Sequence, residues 1–187
     1  MSGWVNSIAI AGNQTINESA GSRQIVNGVS YRIFNVTSYS ENDGNLLTIN
    51  GERSGDPVVF NFGLSSNVNL GGDVIFTGTG LTSDDQKLWN FTSSGQNIQL
   101  NNNASSFPHS WFHGDILAPN DKISLVNANL DGRVLGGDSS DMQIVSGDTI
   151  NAPVSAPEPS SIVLVAAGLV GLGSSFGLVP FNGGQQG

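Results

Sequence analysis

Short apolar segments alternate with glycine, asparagine, aspartate and serine along most of the chain. The pattern is clearest near the C-terminal third, where Gly114–Leu117 recurs as Gly132–Leu135. Downstream the offset between the two copies grows slightly, as the apolar positions Ile123 and Leu125 recur as Met142 and Ile144, and Leu130 recurs as Ile150. A unit of about 20 residues with three short apolar segments is typical of one coil of a β-helix.

The aliphatic positions of this repeat predict one buried ladder. Ile116 is expected to stack over Val134, and Leu117 over Leu135. A similar motif, Gly72–Ile75, lies upstream of the first copy at more than twice the repeat length and predicts two more coils with an inserted loop. The pattern therefore predicts an all-β fold, a β-helix with an irregular, strand-rich N-terminal part and an apolar C-terminal segment.

The N-terminal half contains strand and turn signals without the clean repeat. Asn27-Gly28 separates two alternating runs and predicts a two-residue hairpin. Asn42–Gly44 predicts a second turn, followed by strands over Leu46–Ile49 and Val58–Phe62. This part is expected to cap the coil, since an open end would expose unpaired strand edges.

Composition changes abruptly near residue 151 and divides the chain into three parts. Residues 1–151 are expected to form the β-helix domain and 152–161, rich in proline and serine, a linker. Residues 162–187 are uncharged and apolar. The run 162–181 has about the 20 residues of a membrane-spanning helix, although its glycines favour helix only weakly. A strand-forming segment that packs on its own domain or a neighbouring subunit is the alternative. Residues 1–23 show no secretory signal pattern.

Charge and cysteine content exclude several classes of function. Only 11% of residues are charged, and the net charge of −9 includes only six Lys and Arg residues. Binding to nucleic acid depends on clustered cations, so no nucleic-acid partner is expected. The absence of cysteine excludes disulfides, thiolate metal sites and cysteine nucleophiles.

Two side-chain clusters are candidate metal sites, and no cofactor is expected. His109 and His113, with Asp115 nearby, carry zinc-ligand chemistry, but their spacing aligns both imidazoles only on a helix, which Pro108 disfavours. Asp138 and Asp141 are calcium candidates because turn carboxylates hold this ion. Turn aspartates more often bond to their own backbone, so calcium is the minor expectation and catalytic residues are not assigned.

Three motifs resemble the choice-of-anchor A family, bacterial surface proteins regarded as adhesive. They are Lys87–Phe91, His113–Asn120 and Leu130–Leu135, which occur in the family's order within residues 55–150. The second and third motifs are also similar to the ice-binding β-helix family. Both resemblances imply a coil of parallel strands, whereas the first implies adhesion and the second implies ice binding.

The tail carries a second resemblance. Pro157-Glu158-Pro159 followed by an apolar run resembles the PEP-CTERM sorting signal of Gram-negative bacteria, which implies display at an exopolysaccharide-rich surface. The basic cluster that ends such signals is absent, because the last basic residue is Arg133. Without cations beyond the apolar run, the positive-inside rule gives it no orientation.

These observations lead to a non-enzymatic structural or adhesive protein, extracellular or at the cell surface. Its expected partners are exopolysaccharide or other surface components, with membrane contact through 162–181. Self-association is the first alternative, a filament in which the apolar tail adds to a neighbour's sheet edge. Ice binding is the second, although Thr77-x-Thr79 is the only Thr-x-Thr in the chain. Glycan hydrolysis needs only two carboxylates, but no feature singles out a pair.

Overall fold

A computed structural model describes seven stretches of the chain, residues 6–41, 44–52, 56–81, 86–102, 111–136, 141–145 and 147–152. All of them belong to the compact unit Met1–Pro153. Apart from a single turn of 3₁₀ helix at Glu18–Ala20, the regular elements of these stretches are short β-strands. The predicted all-β class with scarce helix is confirmed.

The largest sheet is parallel except for one antiparallel strand at its edge. Its parallel members in spatial order are β1 (Asn6–Ala11), β4 (Val29–Ser40), β6 (Val58–Phe62), β9 (Lys87–Phe91), β12 (Asp115–Ala118) and β15 (Val134–Gly136). The antiparallel strand is β3 (Ser22–Val26), which pairs with β4. We call the parallel set the first sheet.

Three smaller sheets collect the intervening strands. The second sheet contains β7 (Val68–Leu70), β10 (Asn97–Leu100), β13 (Lys122–Leu125) and β16 (Met142–Ile144). The third contains β2 (Gln14–Asn17), β5 (Leu46–Gly51) and β8 (Asp73–Gly78), and the fourth contains β11 (Phe112–His113), β14 (Asn129–Asp131) and β17 (Thr149–Asn151). The amide of Val74 donates to the carbonyl of Trp111 at 3.1 Å, which links β8 to β11.

The chain therefore visits its sheets in a repeating order, and we call each circuit a pass. The last four passes each place one strand in the first sheet, one in the second, and one in the third or fourth. Each strand pairs in parallel with its counterpart one pass away, which fits the coiled arrangement expected from the sequence. The predicted offsets are confirmed in the final passes, where Ile123 lies opposite Met142, and Leu130 opposite Ile150.

The predicted hairpin is also confirmed. Val26 pairs with Val29 across the turn, and Asn27 and Gly28 have φ angles of 52° and 83°. Two consecutive left-handed residues form the turn type that matches the twist of antiparallel strands, and Asn-Gly is its preferred sequence.

One predicted ladder is corrected by the burial of its members. Ile116 lies opposite Val134 and Leu117 opposite Leu135. Ile116 is buried, but Leu135 is 46% exposed and Leu117 only half-buried. Successive side chains of a strand point to opposite faces, so Ile116 and Val134 face the core and Leu117 and Leu135 face outward. The expectation that all four share one buried ladder was wrong.

The N-terminal half is more regular than expected. β4, β5 and β6 continue the same parallel sheets as the later strands, so this part is not a separate irregular cap. The assignment of Gly72–Ile75 to the Gly114 repeat was also wrong. Val74 pairs with Leu47, whereas the upstream partner of Ile116 is Trp89.

Aromatic side chains fill the core beneath the first sheet. The rings of Phe34 and Phe60 stack with centroids 5.2 Å apart, and those of Phe60 and Trp89 stack at 4.5 Å. The Phe62 and Phe91 rings form a second stack at 4.5 Å. All five side chains are almost fully buried. Because they come from successive strands of one sheet, they bind each pass to the next.

Two glycines, Gly78 and Gly95, have similar backbone angles but differ in how close a neighbouring strand lies. Gly78 has a φ angle of 81° and Gly95 of 77°. A Cβ atom on Gly78 would collide with the carbonyl oxygen of Gly51, whereas one on Gly95 would meet nothing within 4 Å. Both glycines therefore avoid the same backbone strain, but only Gly78 is confined by a neighbouring strand.

We expect Gly95→Ala to lower the free energy of unfolding by about 1 kcal/mol through backbone strain alone. Gly78→Ala should lower it by about 2 kcal/mol, because the clash with Gly51 adds to that strain. Urea unfolding of the two variants, followed by circular dichroism, measures the difference. Equal losses would show that the gap between the two strands widens without cost.

Candidate functional site

The outer face of the first sheet carries a column of asparagines. Asn35 lies opposite Asn61, and Asn61 opposite Asn90, on adjacent parallel strands. The Asn90 side-chain amide donates a hydrogen bond of 2.8 Å to the Asn61 side-chain oxygen. Neighbouring strands lie about 4.8 Å apart, so the column presents amide groups at a regular interval. We call this column the asparagine ladder.

The alternation of the strands explains why the asparagines face outward. Each of the three follows a fully buried aromatic residue, in the order Phe34, Phe60 and Trp89. Burying those rings directs the next side chain to the opposite face of the sheet. The two stacked ring pairs below therefore hold the backbone of the ladder in place.

A shallow groove follows the ladder. It has a volume of about 560 Å³, and its polar lining includes Thr37 and Thr92 beside the three asparagines. The Thr37 hydroxyl donates to the carbonyl of Ile8 at 2.9 Å, and the Thr92 hydroxyl donates to the carbonyl of Phe62 at 3.1 Å. These bonds fix the orientation of both hydroxyl groups.

The groove is uncharged. Its lining consists of Asn35, Val36, Thr37, Asn61, Gly63, Leu64, Asn90 and Thr92. Side-chain amides both donate and accept hydrogen bonds, so the groove can pair with hydroxyl groups of either role. Beyond Asn90, the same column continues with Leu117 and then Leu135, so its polar character ends at β9.

Comparison with known families identifies the kind of domain. Residues 3–149 match the family described as "Putative Ice-binding-like adhesive domain". The chain belongs to this adhesive domain family. No curated protein and no solved structure matches the chain.

The family is one of adhesive domains and not an enzyme family. The adhesive and ice-binding-like character expected from the sequence is thus shared with the family. The choice-of-anchor A and PEP-CTERM resemblances are not part of this match and stay predictions.

The candidate zinc ligands do not converge in the described part of the adhesive domain. His113 Nδ1 lies 3.3 Å from a carboxylate oxygen of Asp131. The Asp115 carboxylate instead binds the guanidinium of Arg133, with the shortest contact at 2.6 Å from Nη2. His109 lies outside the described residues. Two aromatic residues lie between the histidines. Phe112 is fully buried, whereas Trp111 is only half-buried.

Only one of the two calcium candidates belongs to the described part of the chain. Asp141 is exposed, whereas Asp138 lies outside the described residues. In the stretches that the structure describes, no three His, Asp or Glu side chains are grouped to hold a metal ion. Asp148 shows the local backbone bonding expected of turn aspartates, because it accepts a hydrogen bond from Val145 N at 2.9 Å. It also accepts one from Ala128 N, in the preceding pass, at 2.7 Å.

The tail assignments lie outside the described residues. This applies to Pro157, Glu158 and Pro159, to almost all of the linker 152–161, and to the run 162–181. Within the described stretches, no helix has the length and apolarity needed to cross a bilayer.

Sequence reasoning missed the asparagine ladder, although the chain carries a signal for it. Phe34-Asn35, Phe60-Asn61 and Trp89-Asn90 are each an aromatic residue followed by asparagine. The step along the chain from the second pair to the third is longer than the step from the first to the second. This unequal spacing conceals the repeat from a search at one fixed period.

Proposed function

We propose that this protein is a non-enzymatic adhesive protein of the cell surface or extracellular matrix. In this proposal the described strands form a β-helix, and the asparagine ladder is its contact surface. The observation that carries the proposal is the registered column of three amides above stacked aromatic rings. Membership of an adhesive domain family supports it.

The ligand class that fits this surface is a neutral, hydroxyl-rich polysaccharide. The groove lining contains no charged side chain, and the protein carries a net charge of −9. An acidic polymer would be repelled by the protein's field, whereas sugar hydroxyls both donate and accept hydrogen bonds. A polymer can engage several amides at once, so weak single contacts add along its length.

Display at the surface is proposed to depend on the C-terminal segment. The Pro157-Glu158-Pro159 motif and the apolar run 162–181 support this, as does the choice-of-anchor A resemblance. Fractionation of host cells with mass spectrometry of the mature termini tests it. A protein recovered only in the cytoplasm, with residues 157–181 intact, would contradict the proposal.

Asn61→Ala is expected to weaken binding to an immobilised neutral polysaccharide, such as dextran or cellulose, by about five- to tenfold. A net hydrogen bond contributes about 1 kcal/mol, and this change also removes the acceptor that orients Asn90. Surface plasmon resonance measures the affinity. Immobilised alginate, an acidic polymer, should bind the unaltered protein less than the neutral polymers do.

Asn50→Ala provides the matched control. Asn50 also forms a ladder bond, donating to the Asn17 side-chain oxygen at 3.1 Å, but it lies on β5 outside the groove. We expect this variant to keep full affinity. Equal losses in both variants, or unchanged binding in both, would show that the groove does not carry adhesion.

Ice binding is the second candidate, and the family description favours it. Two threonines are aligned on the third sheet, where Thr15 lies opposite Thr48. Ile75 follows in the same column, so the hydroxyl pair does not extend to a third strand. A thermal hysteresis measurement tests this candidate, and a value equal to that of an unrelated protein would exclude it.

A further inference from the structure

Exposed large hydrophobic side chains are confined to two places in the described part of the chain. One group is at the hairpin of β3 and β4, and the other is in and around the last pass. The members are Ile25, Val26 and Val29 at the hairpin, and Leu135, Met142, Ile144, Val145 and Ile150 in the last pass. The described residues of the middle passes contribute none of them. Apolar patches that segregate in this way mark interaction surfaces.

The last pass exposes side chains that repeat the core positions of the pass before it. Ile144 is 57% exposed, whereas its partner Leu125 is fully buried. Ile150 is 37% exposed over the fully buried Leu130. No described strand pairs with the far edge of β15, β16 or β17. The last pass therefore exposes apolar side chains at positions that the preceding pass buries in the core.

The opposite end differs. The inward side chains of the first pass, Ile10 and Ile16, are buried, so this end exposes none of its core side chains, although no described strand pairs with the far edge of β1 or β2. What it exposes instead is the hairpin, whose Ile25 is 66% exposed and Val26 50%. The tip extends along the strand direction beyond β6, which begins opposite Arg32. The hairpin is thus an apolar projection rather than an open core.

Charge distinguishes the two surfaces. Arg23, on the hairpin, has 57% of its side chain exposed, and its Nε lies 4.0 Å from a carboxylate oxygen of Asp56. Asp141, beside the last pass, is an exposed carboxylate, and no Lys or Arg occurs after Arg133. The hairpin therefore presents an exposed guanidinium beside its apolar side chains, and the last pass presents an exposed carboxylate beside its own. Two last passes brought together would place like charges face to face, which opposes a symmetric contact.

We propose that the hairpin of one copy of this chain docks on the last pass of a second copy. Each copy then keeps a free hairpin and a free last pass, so the contact is heterologous and can extend into a chain of subunits. It covers the unpaired strand edges that would otherwise be open to indiscriminate pairing. This contact does not involve the asparagine ladder and is independent of the proposed ligand.

Two single substitutions separate the two surfaces. Ile25→Lys places a charge on the hairpin, and Ile144→Lys places one in the last pass. Both side chains are more than half exposed, so folding should tolerate the change. Asn69→Lys, on the exposed side of β7 in a middle pass, adds the same charge elsewhere and serves as control. Circular dichroism confirms that each variant is folded.

Sedimentation velocity of the full chain over a wide concentration range gives the association. We expect the unaltered protein and Asn69→Lys to form concentration-dependent chains, and each of the other variants to associate at least tenfold more weakly. An equal mixture of Ile25→Lys and Ile144→Lys should form a one-to-one dimer that neither forms alone. The intact hairpin of the second variant meets the intact last pass of the first.

Three results would overturn the proposal. The unaltered protein could be monomeric at all concentrations, which would mean that no second copy binds these surfaces. Both variants could associate as the unaltered protein does, which would place the contact elsewhere, such as in residues 154–187. Ile25→Lys could form dimers that Ile144→Lys does not, which would show a symmetric contact between last passes.

Discussion

Trp89→Ala is expected to lower the free energy of unfolding by about 3–5 kcal/mol, the range for removing a large aromatic side chain from a packed core. Trp89 is fully buried, and its ring stacks on Phe60 at 4.5 Å and meets Phe112 at 4.8 Å. Its indole N–H donates to the carbonyl of His113 at 2.9 Å. The variant therefore loses a ring stack with the preceding pass, a ring contact within its own pass, and this hydrogen bond.

Leu117→Ala is the control, because it removes apolar volume from the adjacent strand on the opposite face. Leu117 is half-buried on the outer side, so its loss should lower the free energy of unfolding by about 1 kcal/mol. Urea unfolding followed by circular dichroism is suitable, since Trp89→Ala alters the fluorescence. Similar losses for the two variants would mean that the aromatic stack is not the main stabilising contact between passes.

The regions predicted correctly are those whose signals are local or closely repeated. The Asn27-Gly28 hairpin depends on two adjacent residues with positive φ, which few sequences satisfy. The pairing of Ile123 with Met142 was predictable because only short turns separate the strands of the last two passes, which keeps the repeat nearly constant. In both cases the signal lies within a short stretch of the chain.

The earlier passes escaped prediction because their connections vary in length. Phe34, Phe60, Trp89 and Ile116 form one column, yet the step along the chain from Phe60 to Trp89 is longer than the step on either side of it. A fixed period cannot align them. The unequal spacing also explains the wrong assignment of Gly72–Ile75. This short motif of common residues was aligned with a strand of the first sheet, whereas it belongs to the third sheet. Burial errors such as Leu135 arose because adjacent apolar residues cannot both face one side of a strand.

The candidate site and the core are two faces of one structure. The strands that direct Phe60 and Trp89 inward direct Asn61 and Asn90 outward. A ring stack below the sheet limits the movement of the backbone, so the amides above it lose little freedom when they meet a ligand. Asn61 is also held by its hydrogen bond to Asn90. Rigid placement of this kind suits adhesion, because weak contacts contribute most when they are already ordered.

Glu41 introduces a pH dependence that is unrelated to the site. Its side chain is buried, and its backbone forms an isolated parallel bridge with Leu70. Burial raises the pKa of the Glu41 carboxyl to about 7, and the nearby Asn45 side chain opposes the shift. Since the pKa is higher in the folded state, the folded protein binds more protons than the unfolded chain between about pH 4.5 and 7. The stability associated with Glu41 is therefore complete below pH 4.5 and is lost as pH rises through 7.

Glu41→Gln is expected to abolish this loss, because the amide stays neutral at every pH. Because ionising the buried carboxyl costs folding free energy and solvent screens part of that cost, the variant should be more stable than the unaltered protein at pH 8 by about 1–2 kcal/mol. At pH 4 the two should be equally stable. Glu52→Gln makes the same chemical change on an exposed side chain and serves as the matched control. Urea unfolding from pH 4 to pH 8 provides the comparison. Parallel curves for Glu41→Gln and the unaltered protein would show that the buried carboxyl is not the group that titrates.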